Sequence, residues 1–332
     1  MKRRSFVQAC GAAALGWGLG RSTDAQAGDV IKIGTLAPAA SPWGQVFKVW
    51  EKAVSEKSGG RLELQFFFNG QQGDESAMVA KIKSGQIDGA ALTAVGLGKL
   101  YKPILALQLP GLFRSWAKLD AARDAQKSDF ERGLKDAGVQ LIGWGDVGAV
   151  RRLSKGFAVR TPDALQGKKP MLWRDDAIQP VFFQVVGGVT PVPLSIPEVL
   201  PNLNTGAINI VDAPALAAEQ LQWASKLDTL DDAVISLSIG ALVLSSKRLD
   251  SLAPDLRAIV IDTGRVAASA LTKRIRNEDE AAFARLKAKM TVVTQRPDEQ
   301  AKFDAVYKQT RQRLAQGTFS AELVAKLEAL AK

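Results

Sequence analysis

The chain has 332 residues, a formal charge of +10, 46% hydrophobic residues, one cysteine and no histidine. The missing histidine removes imidazole bases and ordinary zinc sites, and no run of Lys or Arg alternates with aromatics, which excludes nucleic acid as a partner. About 300 residues suffice for a large core and lie near the size at which chains divide into two lobes.

The first 27 residues read as an export signal rather than as part of the fold. Lys2, Arg3 and Arg4 form a positive start, residues 10–19 a short Ala/Gly/Leu-rich core, and Ala25-Gln26-Ala27 a cleavage site before Gly28. Arg3-Arg4-Ser5-Phe6-Val7 fits the twin-arginine export pattern, with a plain secretory route as the alternative. The apolar core is too short to span a membrane, so the mature chain is expected outside the cytoplasm. Cleavage lowers the formal charge from +10 to +7 and removes Cys10, which excludes disulfide and thiol chemistry from the mature chain.

A strand is expected over 30–36, followed by Ser41 as an N-cap and Pro42 in the first helical position, with the helix running to about 58. Next come a strand over 61–68, a turn over 70–74, a helix over 76–84 and a strand over 88–93. Strands alternating with helices point to a parallel-type sheet. A helix over 117–137 leads into a buried strand over 139–144, and near Gly148 the chain leaves its first lobe, the second beginning at Arg151. Residues 235–245 are apolar and β-prone, which suits a strand returning to the first sheet. Each lobe is therefore discontinuous: 28–149 with about 236–275, and 150–235 with about 276–332. From 254 to about 289 an unbroken helical pattern places Leu256, Ile259, Val260, Val266, Ala267, Ala270 and Leu271 at core-like spacing. Such a helix reaches on the order of 50 Å and must cross both lobes; coiled-coil dimerisation is the rival reading, although no a/d heptad is sustained.

Several separated motifs resemble those of the solute-binding subunits of TRAP transporters, the DctP-like periplasmic binding proteins. Gly70-Gln71-Gln72-Gly73-Asp74-Glu75 looks like the family's Gly-Gln-Leu-Gly-acid turn, and Lys83-Ser84-Gly85-Gln86-Ile87-Asp88-Gly89 like its following helix end and strand. Pro162-Asp163 through Gly167-Lys168-Lys169, Glu198-Val199 and Leu203-Asn204-Thr205-Gly206 resemble its second-lobe elements in order and spacing. The resemblance implies an α/β, two-lobed periplasmic binding protein fold with discontinuous lobes, central sheets flanked by helices, and a long helix spanning both lobes.

It also nominates residues. Glu75 matches the family's acid in the first-lobe turn, or merely serves a helix N-terminus; Thr93 matches a polar position after the next strand, or merely ends that strand. Arg151 falls where the family has an upstream ligand-facing arginine, suited to a charge-assisted contact with a carboxylate, the alternative being an interdomain salt bridge; Arg152 should point away and be solvated. The family's main selectivity arginine falls at Met171. Either Arg174 replaces it after a local shift, or the pocket has become apolar, since Met171 and Trp173 share a strand face while Arg174 faces away. Arg174-Asp175-Asp176 reads equally as a solvated turn. Ile196, Ala213 and Leu36 stand where polar or aromatic contacts are expected, and Trp43 could close the cleft or act as a packing anchor. Trp144 and Trp223 are assigned to the core.

The resulting expectation is a periplasmic solute-binding protein that closes by hinge motion around a small organic acid with a substantial apolar part and delivers it to a TRAP membrane permease. No cofactor and no metal ligands are expected. A non-transport scaffold working with a partner lipoprotein is the alternative. A carboxylate-based hydrolase, for which Asp74-Glu75 and Asp175-Asp176 would supply the acids, lacks any nucleophile motif or phosphate-binding loop, and the chain reads as a non-enzyme.

Overall fold

The computed structural model describes residues 28–332; the expected export signal and its cleavage site at Ala27 lie outside the described residues. Ten strands run in chain order as β1 (Asp29–Thr35), β2 (Leu62–Phe67), β3 (Gly89–Thr93), β4 (Val139–Ser154), β5 (Met171–Trp173), β6 (Val192–Leu194), β7 (Ile210–Pro214), β8 (Thr229–Asp231), β9 (Ser236–Ser245) and β10 (Thr291–Val293). The α-helices between and after them are α1 (Pro42–Ser58), α2 (Glu75–Ser84), α3 (Ala94–Leu100), α4 (Trp116–Ala125), α5 (Lys127–Asp136), α6 (Gln179–Val186), α7 (Val199–Thr205), α8 (Ala215–Gln220), α9 (Ser246–Ser251), α10 (Pro254–Lys287), α11 (Pro297–Leu314) and α12 (Ala321–Leu330).

Ser41 accepts the Gly44 amide at 3.2 Å and Pro42 opens α1, so α1 starts where the sequence places it. Its inner face sets Phe47 flat against Phe66 of β2, with ring centroids 4.8 Å apart, and Trp50 edge-on to the same ring. Ile31 and Ile33 of β1 close that core; each such apolar side chain contributes roughly 1.5–3 kcal/mol on burial. β1 pairs in parallel with both β2 and β3, as alternating strands and helices require.

The middle of the sheet departs from the parallel expectation. β4 and β9 run antiparallel along ten paired positions from Val139↔Ser245 to Val150↔Ser236, because the chain leaves one half of the molecule on β4 and returns on β9. The expected strand over 139–144 is the first part of a single 16-residue strand, about 50 Å long at ordinary strand rise. One edge of this pair carries β3, β1 and β2; the other carries β7, β8 and β10. Two bulges interrupt β4, one between Leu141 and Gly143 and one between Asp146 and Gly148. Gly148 has φ 139°, and a Cβ there would come 2.5 Å from the Asp279 carboxyl carbon of α10. Asp279 in turn accepts the Ala149 amide at 2.8 Å and the Leu216 amide at 2.9 Å, fastening α10 to the bulge and to α8.

At 34 residues α10 is about 51 Å long and packs on α1, β4 and α8. Leu256, Val260, Ala267, Leu271, Ile275, Ala282 and Leu286 form its buried stripe, whereas Val266 is 71% exposed and Ala270 also faces solvent. Both stand one position off the stripe. The single helix expected over 117–137 is two helices: Gln126, at φ −108°, leaves the helical region between α4 and α5, and its buried side chain is held by Lys326. The tail expected in the second half divides as well. α11 packs on α6 through Phe303, Tyr307 and Phe182, while α12 lies against α4.

Candidate ligand-binding site

A cavity of about 230 Å³ lies in the cleft that β4 and β9 cross. Its walls include Leu36, Trp43, Glu75 and Thr93 from the β1–β3 half, and Met171, Trp173, Ile196 and Ala213 from the other. Eight of the ten residues nominated from sequence therefore converge on one space, drawn from segments up to 177 positions apart. Trp43 is 9% exposed and its indole donates to the Asp146 carbonyl at 3.4 Å; it is at once a packing anchor and cleft wall. Met171 and Trp173 both face the cavity, as alternation along β5 dictates.

Neither nominated arginine reaches it. Arg151 is buried on the far side of β4, its guanidinium 3.7 Å above the Phe283 ring of α10 and 3.8 Å from Glu280, with its Nε left without a hydrogen-bond partner. Burial holds its pKa down, against the pull of Asp279 and Glu280. Arg152, expected to be solvated, is 3% exposed and grips Asp212 of β7 with two bonds of 2.8 and 2.7 Å; burial works against its charge, but Asp212 outweighs it and raises its pKa. Asp212 lines the cavity, so the arginines are exchanged relative to the expectation. The ladder with β7 sets the faces: Arg152 lies opposite Asp212 and Arg151 opposite Ala213, so the two neighbouring side chains take opposite sides of the sheet. Arg174 is exposed and donates to Glu198 at 3.0 Å, so it does not replace the arginine absent at Met171. The segment is a turn with Arg174 exposed, but its aspartates are half-buried and engaged: Asp175 pairs with Lys99 at 3.2 Å, and Asp176 accepts the Ile178 amide at 2.6 Å ahead of α6.

Glu75 is 1% exposed and serves the start of α3 rather than that of its own helix. One oxygen accepts the Thr93 amide at 2.7 Å, and the other accepts the Thr93 hydroxyl at 2.9 Å and the Gly96 amide at 2.6 Å. Position 96 must be glycine for this, since a Cβ would sit 2.6 Å from that oxygen. Burial pushes the Glu75 carboxyl up to about 8, although those three bonds and the end of α3 favour its charge. The neighbouring Asp74 joins the two sides of the cleft. One oxygen caps α2 through the Glu75 amide at 2.8 Å; the other accepts the Trp173 indole at 3.0 Å and the Ile196 amide at 3.1 Å. Burial raises its pKa too.

Sequence reasoning missed Asp212, Gln108, Gln179 and Phe182 on the cavity wall, and placed Trp223 only in the core although it is both buried and lining. Trp144 does stay off the wall, edge-on to Phe130 with Arg123 above it. Among the described residues no group of three or more His, Cys, Asp or Glu is arranged to hold a metal ion, and no helix is long and apolar enough to cross a membrane.

Residues 33–317 match the family described as bacterial extracellular solute-binding protein, family 7, DctP. A solute-binding protein of Chromohalobacter salexigens is 26% identical over 210 residues, which are 63% of this chain and 62% of that protein, so the match spans under two thirds of the relative's length. The 2,3-diketo-L-gulonate-binding periplasmic protein of Escherichia coli is 23% identical over 301 residues, 87% of this chain and 88% of that one. The crystal structure of a TRAP periplasmic solute-binding protein from Ralstonia eutropha with bound (S)-2-acetolactate superposes with a TM-score of 0.84 at 19% identity, covering 91% of this chain and 98% of that one. The two-lobed α/β fold is common to both structures.

Proposed function

This chain belongs to bacterial extracellular solute-binding protein family 7, the DctP family, and on that premise we propose that it is exported to the periplasm as the solute-binding subunit of a TRAP-type secondary transporter. It captures a small organic acid of largely apolar character by hinge closure and hands it to the membrane permease. The observation that carries this reading is the cavity of about 230 Å³ lined from both sides by Leu36, Trp43, Met171, Trp173 and Ile196: a concave, mostly apolar space with a few polar groups is the form of a small-molecule site. The relatives support the class of ligand, since the proteins described above bind 2,3-diketo-L-gulonate and acetolactate. The lobes meet at the β4–β9 crossing, with 28–149 and about 236–275 on one side and most of the remainder on the other.

Native mass spectrometry of the mature protein, purified without denaturation, tests the reading. One co-purifying small molecule is expected in the wild type, and at least a tenfold lower occupancy in Trp173→Ala. Retention of the same molecule at full occupancy by Trp173→Ala and Met171→Ala would place binding elsewhere.

A further inference from the structure

Building on the reading of the cleft as the binding site, we propose that the cavity takes its ligand without a negative charge. An organic acid would occupy it as the protonated acid, its polar end met by amide and hydroxyl groups rather than by a cation.

Among the described residues no Lys or Arg lines the cavity, while four acids do: Glu75, Asp146, Asp176 and Asp212. Two of these are neutralised from behind. Asp146 takes Arg123 at 2.8 Å and Arg276 at 2.6 Å, and Asp212 takes the fork of Arg152. Lys99 is engaged on Asp175, and Arg151 is turned to Phe283. Glu75 and Asp176 have only neutral donors. A carboxylate entering this space would lose its water and find no cation on the wall to replace it, which disfavours the anion relative to its neutral form. Burial pushes Glu75 up to about 8 and Asp176 up to about 6, so the site already favours the uncharged form of its own acids.

The remaining polar groups suit a neutral partner. Gln108 lines the cavity with its carbonyl fixed by the Ile239 amide at 2.9 Å and the Ser238 hydroxyl at 3.3 Å. Gln179 has its carbonyl fixed by the Trp173 amide at 2.8 Å. With both acceptors used, each side chain keeps an NH2 donor that has no partner among the described residues. Two such donors satisfy a carbonyl or carboxylic acid oxygen, and the second oxygen of Asp176 can accept a ligand hydroxyl.

Thermal-shift and calorimetric titrations with phenylacetate and phenylacetamide, extended to linear acids and their amides of four to ten carbons, test this. The amide of a binding pair is expected to bind at least tenfold more tightly than the carboxylate at pH 7.5. The acid's affinity is expected to rise about tenfold for each unit of pH removed between 7.5 and 5.5, as binding of the protonated form alone requires. Met171→Arg, adding a cation on the β5 face that lines the cavity, should erase the preference for the amide. A carboxylate that binds more tightly than its amide, with affinity flat across that range, overturns the proposal while leaving the cleft as the site. If no pair binds at all, the cleft reading fails and this inference with it.

Discussion

At the scale of single residues, the site rests on groups whose neighbours are visible only once the chain is folded. Glu75 reads in the sequence as an acid at a helix start, and it is one, yet the helix it serves is α3, eighteen residues on. Its carboxyl is raised from 4.5 to about 8, so the folded state holds the proton more tightly than the unfolded one. Its contribution to stability is therefore full below pH 4.5 and is lost as the pH rises through 8, by an amount on the order of a few kcal/mol. Melting temperature measured from pH 4.5 to 9 should fall toward the alkaline end in the wild type and fall less in Glu75→Gln. Arg151 carries the opposite lesson. Packed over Phe283 and remote from the cavity, it should cost about 2 kcal/mol of stability on replacement by alanine, while affinity for any cavity ligand changes less than threefold by calorimetry; a tenfold loss of affinity with stability intact would contradict its placement. Family motifs placed Met171, Trp173 and Ile196 on the cavity wall; the first two share a face of the short strand β5, and Ile196 opens a tight 3-10 turn. Arg151 and Arg152 were misread because their assignment came from the family match, whereas the pairing of β4 with β7 decides which of two adjacent strand residues meets Asp212.

Among the elements, caps and periodicity carried most of the information. Ser41-Pro42 fixes the start of α1, and the long stripe from Leu256 onward fixes α10, including its span. What could not be read were features set by tertiary contact: the corner at Gln126, and the union of the expected first-lobe strand and hinge into one continuous β4. The bulge at Asp146–Gly148 is the decisive element. Gly148→Ala combines a positive φ of 139° with a Cβ driven into Asp279, and should lower stability by about 3 kcal/mol, read as a reduced urea midpoint with unchanged slope. A variant with wild-type midpoint would mean that the bulge and the α10 staple yield independently of Gly148.

For the molecule as a whole, two long strands and one long helix join the halves, while the Asp74 bonds to the Trp173 indole and the Ile196 amide hold the cleft shut. Asp74→Ala removes both and leaves the Lys99–Asp175 ion pair in place. Small-angle scattering of the ligand-free variant should give a larger radius of gyration than the wild type, for which a compact chain of this length implies about 19 Å; equal radii would show that the clasp does not govern closure. Because the clasp is made only of protein groups, it stabilises the shut form equally with or without cargo. Under the transport role proposed above, empty protein in that form would contend with loaded protein for the same permease. Uptake measured against rising amounts of binding protein should then pass through a maximum and decline, and Asp74→Ala should shift that maximum to higher amounts, so a contact that helps retain cargo also sets a ceiling on how much carrier the cell can use.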